Sequence, residues 1–191
     1  LIADDFVQRH GPSTKAAIDD GLVLLAICGG YQLLGHYFLT HTGETLPGIG
    51  AMDVHTVGGS QRLIGNIVIE TDVFRSINGK ASTSNDQRSP FKTLVGFENH
   101  SGRTYLGSGV APLGRVLRGY GNNGEDGTEG ARYQNAHGCY MHGSLLPKNP
   151  HFADHLLTLA LERRYGAGTT LPPLDDMLEL HAHDVMVERL I

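Results

Sequence analysis

The sequence predicts one α/β domain over residues 1–191, and three observations carry that expectation. Residues 22–27 form a continuous apolar run bounded by glycine, the look of a short strand packed on both faces. After Cys28, Gly29 and Gly30, apolar residues return at helical spacing (Leu33, Leu34, Tyr37, Phe38), which reads as strand, sharp turn, helix. Further strand-like and helix-like segments follow, and 40% apolar content with 26 glycines is the profile of a globular domain with many tight turns.

The elements are expected in the following order. Residues 1–9 place Leu1, Ile2 and Phe6 at roughly helical spacing, and a second helix runs over 12–20, opened by Pro12 and capped by Gly21. Beyond the Cys28 turn, the Gly-rich stretch 40–61 reads as loop and 63–71 as a strand. The polar stretch 78–90 reads as a surface loop, 94–98 and 114–117 as short strands, and 119–130 as a turn-rich excursion. One or two strands fall within 131–141. A helix over 152–165 carries the stripe Phe152, Leu156, Leu159 and Ala160. After Pro172 and Pro173, an acidic helix over 174–190 carries Leu178, Met186 and Leu190. A doubly wound domain normally opens on a βαβ unit, whereas the first strand found here already ends at Cys28, so an N-terminal segment is expected to be lacking.

Composition narrows the function classes. The net charge of −5 with no basic stripe argues against nucleic-acid binding. The longest apolar run is far too short to span a bilayer, and Asp4 and Asp5 stand where a signal peptide would be apolar. Two cysteines exclude a disulfide framework and fit a reducing, cytoplasmic compartment.

Cys28 is the candidate nucleophile. A strand ending in a cysteine, flanked by the small residues Ala26, Gly29 and Gly30 and running straight into a helix, is a nucleophile elbow. The helix N-terminus is expected to favour the thiolate, and the Gly29 N–H to receive a developing oxyanion. A thiol nucleophile needs a base, and of eleven histidines His142 stands out at the end of an apolar strand, within Gly138, Cys139, Tyr140, Met141, His142 and Gly143. His151 and His155 are spaced i, i+4, but no third metal ligand is evident, and no zinc pattern surrounds His137, Cys139 and His142.

At these residues a resemblance emerges. The run Ala26, Ile27, Cys28, Gly29, Gly30, Tyr31, Gln32, Leu33, Leu34 and Gly35 resembles the nucleophile motif of class I glutamine amidotransferases, in their cobyric-acid-synthase-like branch. The segment around His142 resembles that branch's catalytic-histidine segment. The stretches at 62–67, 96–104 and 145–150 resemble the amidotransferase subunits of lipid II isoglutaminyl synthases. The resemblance implies a flavodoxin-like three-layer α/β sandwich and hydrolysis of glutamine to glutamate and ammonia. It implies Arg62 as a glutamine-holding residue, which suits an Arg–carboxylate fork, with Gln32 as a second substrate-binding candidate. It further implies a Mur-ligase-like partner in a heterodimer, which would hold ATP and Mg²⁺ and amidate the D-glutamate α-carboxyl of lipid II, while this subunit needs no cofactor. Many class I enzymes carry a Glu two residues after the histidine; here Ser144 stands there, which leaves the third catalytic residue open. The alternatives are an amidotransferase of cobyric acid or related cofactor synthesis, a silent scaffold subunit, and a papain-like protease. Asn99 and the lack of a fused ATP-binding domain argue against the first, the intact Cys28 and His142 against the second, and the strand context of Cys28 against the third.

Overall fold

The structure, a computed structural model, describes residues 2–76 and 92–191. The chain opens with α1 (Ile2–Asp5), a π-helical turn (Phe6–His10) and α2 (Gly11–Asp19). Strand β1 (Leu24–Ile27) leads through Cys28 into α3 (Gly29–Leu34). Then come β2 (Tyr37–Leu39), β3 (Thr45–Pro47), the long β4 (Val54–Glu70), a 3-10 turn (Val73–Ser76) and the long β5 (Thr93–Leu106). Short strands β6 (Gly114–Arg118), β7 (Thr128–Glu129), β8 (Ala131–Tyr133), β9 (Ala136–Cys139) and β10 (Met141–His142) follow. The chain closes with α4 (Leu145–Lys148), α5 (Pro150–Tyr165) and α6 (Met177–Leu190).

Among the described residues the strands form two sheets. In the first, β1 pairs parallel with β9, which pairs antiparallel with β8. In the second, the order is β10-β5-β4-β2-β3, with β6 joined to β4 and β7 to β6. Helices cover both faces of the first sheet. Leu24 and Ala26 pack with Ile18 of α2 and with Tyr31 and Leu34 of α3. Leu25 and Ile27 pack on the opposite face, with Phe152 and Leu156 of α5. The alternation along β1 therefore supplies both cores of a three-layer arrangement.

Several expected elements differ in detail. The 22–27 run does pack on both faces, but in the strand formed from it only Ala26 is buried, because β1 lies at the edge of its sheet. Helical spacing through Phe38 overstates α3, which ends at Leu34; Tyr37 and Phe38 enter β2. The stretch 40–61 is not all loop, since it holds β3 and the first half of β4. Its glycines and polar residues hid a strand that β5 pairs along its length, with a bulge between Gly58 and Leu63. The loop expected at 78–90 lies outside the described residues. On α5 the buried face is Phe152, His155 and Leu156, joined by His151, while Ala160 is exposed. On α6, Val187, Met186 and Leu190 pack on Val68 and Val95 of the second sheet, and Leu178 is exposed.

Polar residues on one face of β5 are buried. From Phe97 to Thr104, odd-numbered residues are exposed or half-exposed, and Glu98, His100, Gly102 and Thr104 point inward. Buried polar groups are costly unless hydrogen-bonded, and most of these are; His100 Nε2 has no hydrogen-bond partner among the described residues and lies 3.6 Å from the Glu98 carboxylate. Glu98 accepts from the N–H groups of Tyr120 (2.7 Å) and Gly121 (3.0 Å). The His100 ring donates from Nδ1 to the Gly102 carbonyl (2.8 Å) and stacks on Tyr140 with ring centroids 3.6 Å apart. Tyr140 Oη meets Thr104 Oγ1 at 2.7 Å and accepts from Gln32 Nε2 at 3.1 Å. Gly102 must lack a side chain here, because a Cβ would fall 2.6 Å from Gln32 Nε2.

Candidate active site

The site forms where the two sheets meet. Cys28 sits between β1 and α3 with φ +52° and ψ −110°, a conformation that non-glycine residues rarely adopt. This strain is what the small neighbours predicted: it turns the thiol out of the strand direction at the sheet's end. The turn is fixed at both sides of the cysteine. Its N–H donates to the Cys139 carbonyl (2.9 Å), and its carbonyl accepts from the Gln32 N–H (3.0 Å). Cys139 closes β9, and three residues later His142 stands in β10 opposite Phe97 of β5. Parallel pairing of β1 with β9 thus delivers the histidine segment to the elbow, as expected for an α/β site at strand ends.

The electrostatics differ from the expectation for a thiolate. Burial pushes the Cys28 thiol up; the Gly29 N–H and the charge of Arg62 act the other way but do not overcome it. A six-residue helix offers too little dipole to offset the desolvation. His142 is held below its ordinary value, first by burial and then by the charges of His100 and Arg62. Its Nε2 is shielded from solvent and has no hydrogen-bond partner among the described residues. The pair therefore rests as thiol and neutral imidazole, with a ring nitrogen available to take a proton.

Arg62 acts on both groups, favouring a thiolate at Cys28 and disfavouring an imidazolium at His142. Its guanidinium is held by Asn99, through Nε to Oδ1 (2.9 Å) and Nη2 to the carbonyl (3.4 Å). The structure thus brings Cys28, Gly29, His142 and Arg62 into one place. The Gly29 N–H interacts with the cysteine itself. Gln32 lies one helical turn on from Cys28, with its amide committed to Tyr140. Among the described residues no group of three or more His, Cys, Asp and Glu side chains is placed to hold a metal ion. The His151 and His155 rings lie in the core around Phe74, and burial brings each down to about 4. Sequence reasoning missed Glu98, Glu129 and Tyr140. The first was visible only as an alternating polar residue on a strand, and Glu129 was submerged in a turn-rich stretch.

Residues 8–150 match the CobB/CobQ-like glutamine amidotransferase domain. The chain belongs to that family. It is 44% identical over 177 residues to the lipid II isoglutaminyl synthase (glutamine-hydrolyzing) subunit GatD of Staphylococcus aureus strain N315, covering 92% of this chain and 64% of that protein. It is 39% identical over 183 residues to the GatD subunit of Streptococcus pneumoniae R6, covering 93% of this chain and 62% of that protein. A probable cobyric acid synthase of Methanococcus maripaludis C7 is 31% identical over 172 residues, 84% of this chain and 31% of that protein. The chain thus spans a little under two thirds of the length of the two GatD relatives. A solved glutamine amidotransferase structure superposes with a TM-score of 0.52 at 17% identity, covering 78% of this chain and 67% of that one. The α/β fold expected from the sequence is that of the glutamine amidotransferases.

Substitution of Arg62 tests its role. A guanidinium bonded to a substrate carboxylate contributes about 1.5–3 kcal/mol, so Arg62→Ala is expected to raise KM for glutamine about ten- to hundredfold, with a smaller change in kcat. Steady-state glutaminase kinetics read this directly. An unchanged KM removes Arg62 from substrate binding.

Proposed function

We propose that this chain is the glutaminase of a two-subunit amidotransferase that amidates the D-glutamate α-carboxyl of lipid II. The observation that carries the glutaminase half is Cys28 at positive φ on a strand–turn–helix elbow, hydrogen-bonded to the strand that leads to His142. His142 takes the thiol proton as Cys28 attacks the carboxamide carbon of glutamine. The oxyanion that develops is stabilised by the Gly29 N–H, together with a further donor. His142 passes its proton to the leaving nitrogen, ammonia departs, and a γ-glutamyl thioester remains on Cys28. Water, deprotonated by His142, then cleaves the thioester to glutamate and restores the thiol. Each step uses only proton transfer and acyl transfer, so this subunit needs no cofactor.

The lipid II half of the reading is supported by the higher identity to the two GatD subunits than to the cobyric acid synthase. Ammonia must meet an activated acceptor, so the partner is a Mur-ligase-like synthetase that spends ATP with Mg²⁺ on the carboxyl group, in a cytoplasmic heterodimer. No helix among the described residues is long and apolar enough to cross a membrane. The test is reconstitution of the full-length protein with that synthetase, ATP, lipid II and glutamine labelled at the amide nitrogen. Label is expected in D-isoglutamine of the stem peptide. Label transferred instead to a corrin precursor assigns the chain to cofactor synthesis, and no transfer at all favours a silent scaffold.

A further inference from the structure

Close to the site the chain crosses twice between its two sheets. It leaves the second sheet at Glu129 of β7, turns at Gly130 with φ +63°, and enters the first sheet at Ala131 of β8. It returns at Tyr140, the single residue between Cys139 of β9 and Met141 of β10. The two crossings are bonded to each other, for Glu129 Oε1 accepts the Tyr140 N–H at 2.6 Å. They are also packed without spare room: a Cβ on Gly130 would fall 2.5 Å from the Gly138 carbonyl oxygen.

The position of this bond gives it consequence. Immediately before Tyr140, the Cys139 carbonyl holds the Cys28 N–H. Immediately after it, β10 aligns His142 against β5. The nucleophile and the base therefore hang on opposite sides of one residue, whose N–H is held by a side chain rather than by a strand. Glu129 is fully buried. The titratable groups that face it are Glu98 from β5, Asp126 from the loop before β7, Tyr31 from α3, and Cys139 and Tyr140 at the crossing itself.

We propose that Glu129 is a positioning residue for the catalytic pair, setting the separation of Cys28 and His142 by holding the Tyr140 N–H where the chain passes from one sheet to the other. The assignment rests on reading those two residues as nucleophile and base. Burial, with the acidic neighbours adding to it, pushes the Glu129 carboxyl up to about 8, so at neutral pH it serves as a neutral acceptor. Above that value a buried charge faces Glu98 and Asp126, and the crossing is disturbed.

The experiment measures glutaminase kinetics of the full-length protein for E129Q and E129A, beside C28A and H142A. E129Q keeps an accepting oxygen and is expected to retain kcat within about threefold. E129A leaves the Tyr140 N–H buried without an acceptor, and is expected to lower kcat about ten- to hundredfold with KM nearly unchanged. From about pH 7 to about 9.5, the ratio of E129Q to native kcat is expected to rise, since only the native side chain ionises. This ratio cancels the titration of Cys28 and His142, and it decides the matter alone if E129A does not fold. A flat ratio, or native kcat in a folded E129A, overturns the assignment while C28A and H142A stay inactive. An active C28A or H142A overturns the underlying reading, and the assignment with it.

Discussion

Cys28→Ala is expected to lower glutamine hydrolysis by about 10⁴-fold or more, with no loss of folding. As the proposed nucleophile, the thiol is the atom that bonds to glutamine, so nothing in the site replaces it. The backbone of the elbow survives, because its hydrogen bonds to Cys139 and from Gln32 are made by the main chain. Alanine adds no atom that the cysteine lacks and keeps the same strained φ, so thermal unfolding should shift by only a few degrees, within about 1 kcal/mol. Cys139→Ala serves as the control. That thiol is fully buried, and burial together with Glu129 holds it protonated, so its loss should spare the chemistry. Isotope-labelled glutamine and detection of ammonia measure both variants. Retained turnover in Cys28→Ala would falsify the nucleophile assignment.

His142→Ala is expected to lower kcat about 10²- to 10⁴-fold while leaving KM within a small factor, since a general base acts on the transition state. The pH profile adds a signed test. The folded-state pKa of His142 lies below its ordinary value of 6.5, so the ring stays neutral and able to accept a proton somewhat below that pH. The acid limb of native kcat/KM should therefore have its midpoint below the ring's ordinary value of 6.5. Toward high pH, the raised Cys28 thiol ionises late, so no activity should depend on a preformed thiolate at neutral pH. In His142→Ala the acid limb should vanish along with most of the rate. An acid limb unchanged in that variant would assign it to another group, and a defect confined to KM would remove His142 from proton transfer. Arg62 disfavours the charged ring, so loss of its charge should move the limb upward.

Much of the site could be read from the chain alone because its signals are local. The elbow needs small residues beside the cysteine, a strand before it and a helix after it, and all of these lie within residues 22–35. The positive φ of Cys28 follows from that pattern, since the chain must reverse within one residue. His142 was legible through the apolar strand that precedes it, and α5 through its apolar period.

Pairing and burial were decided only in three dimensions. The glycine-rich half of β4 has no apolar alternation, and becomes a strand because β5 pairs with it from Val54 to Gly58 and again from Leu63, across a bulge. Helical periodicity ran on through Tyr37 and Phe38, but β2 claimed them once β4 lay alongside. The protonation preferences of Cys28 and His142 depend on the desolvation and charges around them, and no local spacing encodes those. The sequence by itself pointed to Cys28 and His142 as candidate nucleophile and base and determined the α/β class, because each signal is written in a few neighbouring residues. Only the tertiary structure decided that Glu98, His100, Glu129 and Tyr140 are buried together behind the site. Residues far apart in the chain become one network only where two sheets meet, and a buried polar group is stable only with partners that folding brings to it.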